Sequence, residues 1–383
     1  MNAVTKISSY AFKDCIGLES VNIPNTVTSI IGTAFEGCVS LSNIVVDEGN
    51  VIFNSIDGNL YQQVEYVGMT LVQYAIGKAD TQFTIPDGVV SIWQYAFDGS
   101  ENLTSITISS SVTRVSGIKG CYNLSNILVE GDGAAYKSVD GVLYSKSGTT
   151  LVQYPMGKKD TQFTVSDDVT YIGAAAFNDC KNLTSITIGK TVNDIGSGAF
   201  SGCANLRNFK VADNNGYYTS IDGNLYTKSW GRYKLVQYAL GKTNTEFTVP
   251  SNVTGIYSGA FNGCENLTTV KMGDSVDTIE GYAFNGCKNL VSVTFSSALN
   301  SIEENIFYDC ENLTSITIPI GITEIGHNSF RLCGNLTSVY YEGTRSEWLK
   351  IAAGSGSESD SGKTTIICSD GEIKFDFNGL LVA

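Results

Sequence analysis

A β-rich solenoid, a right-handed coil in which each repeat of about 23 residues adds one strand to a parallel β-sheet, is the fold predicted by this sequence. Three observations predict it. Nine of the ten cysteines mark the repeat, and eight of them keep a fixed beat: Cys15 to Cys38, Cys180 to Cys203, and Cys264 to Cys287, Cys310 and Cys333 are each 23 residues apart. A leucine follows every marker by three residues. From that leucine, β-branched residues alternate with small polar ones, as in Leu103-Thr104-Ser105-Ile106-Thr107-Ile108, which is the pattern of a short half-buried strand.

Ten units result. Ser100 fills the marker slot in Phe97-Asp98-Gly99-Ser100, and Cys121 follows 21 residues later in a unit that lacks the Ala-Phe pair. A second apolar set, as in Val169-Thr170-Tyr171-Ile172-Gly173-Ala174-Ala175-Ala176-Phe177, predicts a turn-rich far wall for each coil. No unit can bury its apolar side alone, so stability is expected to be a sum of nearest-neighbour terms with special units at the ends. The stretch from Tyr340 leaves the repeat and contains Trp348, and reads as the C-terminal cap.

Three places break the rhythm. Cys38 to Ser100, Cys121 to Cys180 and Cys203 to Cys264 span 62, 59 and 61 residues. Each holds a strand-like segment around an Asp-Gly turn: Ser55-Ile56-Asp57-Gly58-Asn59-Leu60-Tyr61, Ser138-Val139-Asp140-Gly141-Val142-Leu143-Tyr144 and Ser220-Ile221-Asp222-Gly223-Asn224-Leu225-Tyr226. Leu71-Val72-Gln73-Tyr74, Leu151-Val152-Gln153-Tyr154 and Leu235-Val236-Gln237-Tyr238 follow, then Gly-Lys and a short strand. The segments read as β-hairpin additions. A super-period of 83 and 82 residues, from Cys38 to Cys121 to Cys203, points to tandem duplication of one block. The expected organisation is a single solenoid over 1–350, with insertions at about 47–86, 130–165 and 212–250, and a cap over 340–383.

The combination of Ile-Pro, Val-Thr-x-Ile, Ala-Phe-x-Gly-Cys and Asn-Leu-Thr-Ser-Ile-Thr-Ile, with interspersed Asp-Gly-x-Leu-Tyr and Leu-Val-Gln-Tyr, resembles the BspA-type bacterial surface leucine-rich-repeat family from residue 1 to about 350. The resemblance implies a leucine-rich-repeat parallel-β solenoid, secreted or surface-attached, that adheres to host matrix proteins, mucosal surfaces or other bacteria. The end Tyr341-Glu342-Gly343-Thr344-Arg345-Ser346-Glu347-Trp348 is similar to that family's final cap. No signal-peptide pattern and no wall-sorting motif is visible, and the chain opens mid-repeat at Ala11-Phe12, as a mature or trimmed fragment would.

Composition narrows the partners. Lys plus Arg number 24 against 38 acids, a net charge of −14, so the field that draws nucleic acid or anionic membrane is missing. No apolar run is long enough to span a bilayer, so membrane insertion is not expected. The lone histidine, His327, sits beside Gly326 as an ordinary surface or wall residue and leaves no histidine-based triad, so no catalytic residue is expected. The recurring Asp-Gly aspartates read as turn residues, because the Asp-x-Asp-x-Asp-Gly ligand spacing is absent. Gly241-Lys242-Thr243 lacks the earlier glycine of a phosphate loop, Val236 standing there, and reads as a loop after a strand. No cofactor or metal site is expected. The cysteines read as a column of buried free thiols: equivalent residues in adjacent coils lie about 5 Å apart but point the same way. Asn102, Asn182, Asn266, Asn312 and Asn335 match the glycan acceptor pattern, yet their place beside the buried leucine predicts a structural column bonded to the adjacent coil, with no room for a glycan.

Two surfaces could meet a partner. Positions two and four after each leucine face outward, and fifteen of these twenty are Ser, Thr or Asn, with Val45, Leu128, Lys210, Lys271 and Tyr340 as exceptions. That suits a solvated sheet face as well as a binding one. Eleven of the twenty tyrosines lie in the insertions. The recurring ones, Tyr61, Tyr144, Tyr226, Tyr74, Tyr154 and Tyr238, are expected to pack the insertions onto the solenoid. Tyr66, Trp230 and Tyr233 lie in the variable stretches, as partner-binding anchors or as decoration of hairpin ends. The sequence thus predicts a non-enzymatic adhesion module for surface or extracellular protein or glycan ligands, with a passive stalk or spacer of a larger surface protein as the alternative.

Overall fold

The computed structural model describes residues 4–64, 66–131, 135–352, 364–375 and 381–382. Contacts group them into two compact units, Met1–Asp160 with Asp168–Asn182 and Asp194–Ala199, and Thr161–Asp167 with Leu183–Asn193 and Phe200–Ala383. The same coil builds both.

In Ser105–Ile108, Ile106 and Ile108 are buried while Ser105 and Thr107 are more open. Such strands stack parallel with equivalent residues side by side: Ile106 lies between Phe83 and Ile127 in the first unit, and Ile316 pairs with Val339 in the second. A slip of one residue would turn every isoleucine outward, so burial fixes the register. The far wall adds two-residue strands, such as Ser301–Ile302 paired with Glu324–Ile325, and a column of phenylalanines. Phe261, Phe284, Phe307 and Phe330 stack with centroids 4.6, 5.4 and 5.8 Å apart and planes within 13°.

The residue before each marker explains the Gly-Cys text. Asp14, Gly37, Gly99, Gly120, Asp179, Gly202, Gly263, Gly286, Asp309 and Leu332 all have φ between 56° and 85°. Glycine enters that region without a Cβ clash, and aspartate tolerates it. Leu332 alone takes the full steric cost.

The thiol column is present. None of the ten cysteines forms a disulfide, and nine are buried, with Cys15 exposed. The thiols also donate along the stack: Cys38 to the Phe12 carbonyl at 2.9 Å, and Cys287, Cys310 and Cys333 to the carbonyls of Phe261, Phe284 and Phe307 at 3.1, 3.2 and 3.0 Å. Burial, reinforced by the neighbouring thiols of the column, pushes Cys287 and Cys310 well above the ordinary thiol value of 9.0.

The insertions differ from simple hairpins. Each is a three-stranded antiparallel meander: Phe53–Ile56, Asn59–Val64 and Gly68–Gln73; Tyr136–Val139, Val142–Ser145 and Thr150–Gln153; Tyr218–Ile221, Asn224–Ser229 and Arg232–Gln237. The third strand of each then pairs parallel with a far-wall strand, Val89–Ile92, Tyr171–Ile172 or Val253–Ile256. The Asp-Gly turn docks on the main sheet, where the carbonyls of Gly58, Gly141 and Gly223 accept from the amides of Ile44, Ile127 and Phe209, each at 2.8 Å. Ser138 and Ser220 hydroxyls donate to the carbonyls of Ile127 and Phe209 at 2.5 and 2.6 Å, and Ser55 donates to Ile44 in the same way. A Cβ on Gly58 would come within 2.8 Å of Asn43 Oδ1, so the glycine serves close approach as well as its φ of 70°. The docked turn takes the place of a next strand. The main sheet is therefore parallel but segmented, with Asn43–Val46, Asn126–Val129 and Asn208–Val211 each ending a segment.

At the C-terminal end of the second unit, Thr365–Cys368 pairs parallel with Ser338–Tyr341 and antiparallel with Gly371–Phe375. The helix Arg345–Ala352 starts with a capping box: Glu347 Oε2 accepts from the Thr344 amide and hydroxyl, both at 2.8 Å, which hold its carboxyl below the usual range. Trp348 is buried in that unit's core with its ring 5.5 Å from Tyr341.

Three outcomes are expected. A thiol reagent labels Cys15 in the native protein and the nine buried cysteines only after unfolding, read by mass spectrometry. Because burial raises the Cys38, Cys121, Cys264, Cys287, Cys310 and Cys368 thiols above the ordinary value of 9.0, their contribution to stability is complete below about pH 9 and declines as pH rises beyond it, so the denaturant midpoint falls at alkaline pH. Leu332→Gly, which relieves a non-glycine residue at φ 61°, raises unfolding stability by about 1 kcal/mol in a denaturant titration.

Candidate binding surfaces

The outward face of the main sheet is polar, as the alternation requires. Val45, Leu128, Lys210, Lys271 and Tyr340 are exposed on it, spread over four sheet segments, and Lys271 pairs with Glu246 at 3.5 Å. No two of the apolar three share a segment.

The recurring tyrosines are scaffold. Tyr61, Tyr74, Tyr144, Tyr154, Tyr226 and Tyr238 are all buried, and burial pushes the Tyr144 and Tyr226 phenols up to about 12. Tyr74 and Tyr154 donate to Asp80 and Asp160 at 3.2 and 3.1 Å. Lys78 and Lys242 lie over the rings of Tyr74 and Tyr238 at 5.8 and 5.7 Å and donate to the carbonyls of Asp57 and Asp222, tying the Asp-Gly turn to the following loop. The glycine before each of these lysines rests on the preceding coil. A Cβ on Gly77 or Gly241 would lie 2.3 Å from the backbone of Ser40 or Asn205, and the amides of both glycines donate to leucine carbonyls at 2.8 Å. The Gly-Lys pair is thus a stacking device.

The asparagines do bridge coils. Asn102, Asn182, Asn266 and Asn335 donate to the carbonyls of Lys78, Lys158, Lys242 and Glu311 at 2.8 to 2.9 Å, while Asn312 reaches the Asn289 side chain at 3.3 Å. Most are exposed to solvent, and the side-chain amide nitrogen of each is engaged by a carbonyl of the neighbouring coil. His327 is exposed, and its carbonyl accepts from Asn305 at 3.0 Å. Among the described residues no three of His, Cys, Asp and Glu are grouped to hold a metal, and no helix is long and apolar enough to cross a membrane.

The three free turns of the insertions differ. In the first, Tyr66 is 97% exposed at φ 60° and Val67 beside it is open. In the second, Ser145, Ser147 and Thr149 bond one another at 3.1 and 2.7 Å, and no aromatic is present. In the third, Ser229 pairs with Arg232 across Trp230 and Gly231, which have φ of 48° and 77°, and Trp230 is 102% exposed. A two-residue turn with both φ positive normally carries Asn-Gly or Asp-Gly. A tryptophan there costs about 1 kcal/mol of local strain and gains no packing. Tyr233 lies on the strand below, half-buried against the core and opposite Lys228. Sequence reasoning passed over Lys228, Arg232 and Lys234, three cations around one tryptophan in an acidic chain, a cluster that the local charge pattern alone displays.

The family described as BspA type Leucine rich repeat region matches residues 1–69, 77–136, 156–230 and 234–350 in six copies. No curated protein is significantly similar to the chain. Among solved structures, a leucine rich cell surface protein from Faecalibacterium prausnitzii is 24% identical, with 80% of this chain and 98% of that one covered and a TM-score of 0.43. The pneumococcal vaccine antigen PcpA is 18% identical, covering 76% and 82%, at a TM-score of 0.44. A leucine-rich repeat protein from Eubacterium ventriosum is 24% identical, covering 88% and 82%, at 0.43.

Trp230→Asn is expected to leave the fold intact and raise unfolding stability by about 1 kcal/mol, measured by denaturant titration. A fall in stability would show that the ring supports the fold.

Proposed function

Because the chain belongs to the BspA type leucine-rich-repeat family, we propose that it is a non-enzymatic adhesion module, secreted or displayed at a cell surface, that docks host or bacterial surface ligands through the free turns of its insertions. One observation carries this reading. The recurring insertion tyrosines are buried, whereas Tyr66 and Trp230 stand fully open at turns whose backbone disfavours them. Costly local conformations without packing gain are retained where a surface is used. Tyr233 supports the third turn from below and completes the anchor set. The segment 340–383 serves as the cap of a solenoid over 1–350. The ligand is an extracellular protein or glycan, in keeping with a chain of net charge −14 that offers no general field for nucleic acid.

Binding of the purified chain to immobilised matrix proteins, mucins and glycans, beside the folded variant Tyr66→Ala/Trp230→Ala/Tyr233→Ala, tests the proposal. Saturable binding that falls at least about tenfold in the variant, the loss expected of an anchoring aromatic, supports it. Unchanged binding moves the site to the main-sheet face, and no binding by either protein favours a passive stalk.

A further inference from the structure

We infer that the third insertion is a cationic aromatic finger for an anionic glycan, a sugar bearing carboxylate or sulfate. The inference rests on the docking role of the free turns and names the ligand class for one of them.

Charge points to it first. Lys and Arg make up 24 of 383 residues, yet three of the seven residues from 228 to 234 are cationic and none of the seven is acidic. Strand register then places them. Cross-strand partners share a face, so the pairs Ser229↔Arg232 and Thr227↔Lys234 put Arg232, Lys234 and two hydroxyl residues on one face, with Lys228 and Tyr233 on the other. Trp230 stands at the apex. Lys228 and Arg232 are exposed, and no ion pair engages Lys228, Arg232 or Lys234 among the described residues. Lys234 is held in place: its side chain crosses Gly255, whose added Cβ would lie 3.2 Å from it, and its ammonium sits 5.8 Å over the Tyr257 ring.

The chemistry of this set selects a sugar acid. The open indole face carries the negative end of the ring quadrupole and attracts the polarised C–H face of a pyranose. The Arg232 guanidinium matches a carboxylate or sulfate through two parallel donors, with Lys234 adding charge beside it. A folded protein partner of standard kind covers about 800 Å² per side, far more than a two-residue turn presents, whereas one or two sugar rings fit the turn and its flanking side chains. An anionic bilayer is an extended surface that would meet the field of the whole chain, charge −14, whereas one or two charged sugar rings meet only the local cationic set. The other two free turns lack this combination: the first presents Tyr66 and Val67, the second hydroxyls.

Surface plasmon resonance on immobilised sialyllactose, a sulfated lactosamine and neutral lactose, with phosphatidylserine-containing vesicles as a further arm, provides the test. The intact chain should prefer the two charged sugars over lactose by about tenfold, and the preference should shrink between about 0.05 and 0.5 M salt. Lys228→Gln/Arg232→Gln/Lys234→Gln should lose the preference, with Lys228→Gln/Arg232→Gln as the variant that leaves the packed Lys234 stem intact. Trp230→Ala should weaken binding to every sugar. Equal binding of lactose, a preference that survives charge removal, binding to vesicles alone, or no binding to any probe overturns the inference. If Trp230→Ala abolishes binding to a matrix protein while the charge variants bind it normally, this inference falls and the docking role of the turn stands.

Discussion

Each coil offers an apolar wall that only the next coil can cover, and cover it does only when leucine, isoleucine and phenylalanine meet their counterparts one repeat away. Coil-to-coil register is therefore the constraint from which the remaining structure follows. It demands a chain reversal of constant shape, which is why a left-handed residue precedes every marker from Asp14 to Leu332. It demands small side chains at the reversal, which cysteine supplies while its thiol also meets the phenylalanine carbonyl of the preceding coil. The bridging asparagines and the Gly-Lys pairs answer the same demand along the loops.

An insertion of just under forty residues could have destroyed such a stack, yet loop length itself adds little entropic cost. The difficulty is the exposed edge of the interrupted sheet. The Asp-Gly turn resolves it: its glycine carbonyl accepts from an amide of the last strand of a segment and its serine hydroxyl donates to that strand's carbonyl, while the meander continues the far wall through its third strand. The anchored end must stay constant in sequence. The free end answers to no packing constraint, and the three free turns differ in length and chemistry accordingly.

Repeat length, strand positions, the thiol column and the Asp-Gly turns were legible in the sequence because each follows from a periodic burial demand that leaves a periodic trace. Two features were not. The third strand of each meander pairs with a far-wall strand distant in sequence, and Leu-Val-Gln-Tyr carries no mark of which neighbour it will choose. The exposure of the bridging asparagines was hidden because a hydrogen bond to a neighbouring carbonyl looks the same in sequence whether water reaches it or not. For the candidate site, the variable stretches located Tyr66 and Trp230 correctly at turns, but only strand register separates Tyr233, half-buried, from the open residues above it.

The division between a constant anchor and a free turn is tested most directly by exchanging turns. A chain in which residues 229–232 are replaced by the 145–150 segment of the second insertion should melt at or slightly above the temperature of the parent and lose binding to the surface ligand that the parent captures. A folded exchange variant that binds as the parent does would place recognition elsewhere on the solenoid and contradict the account.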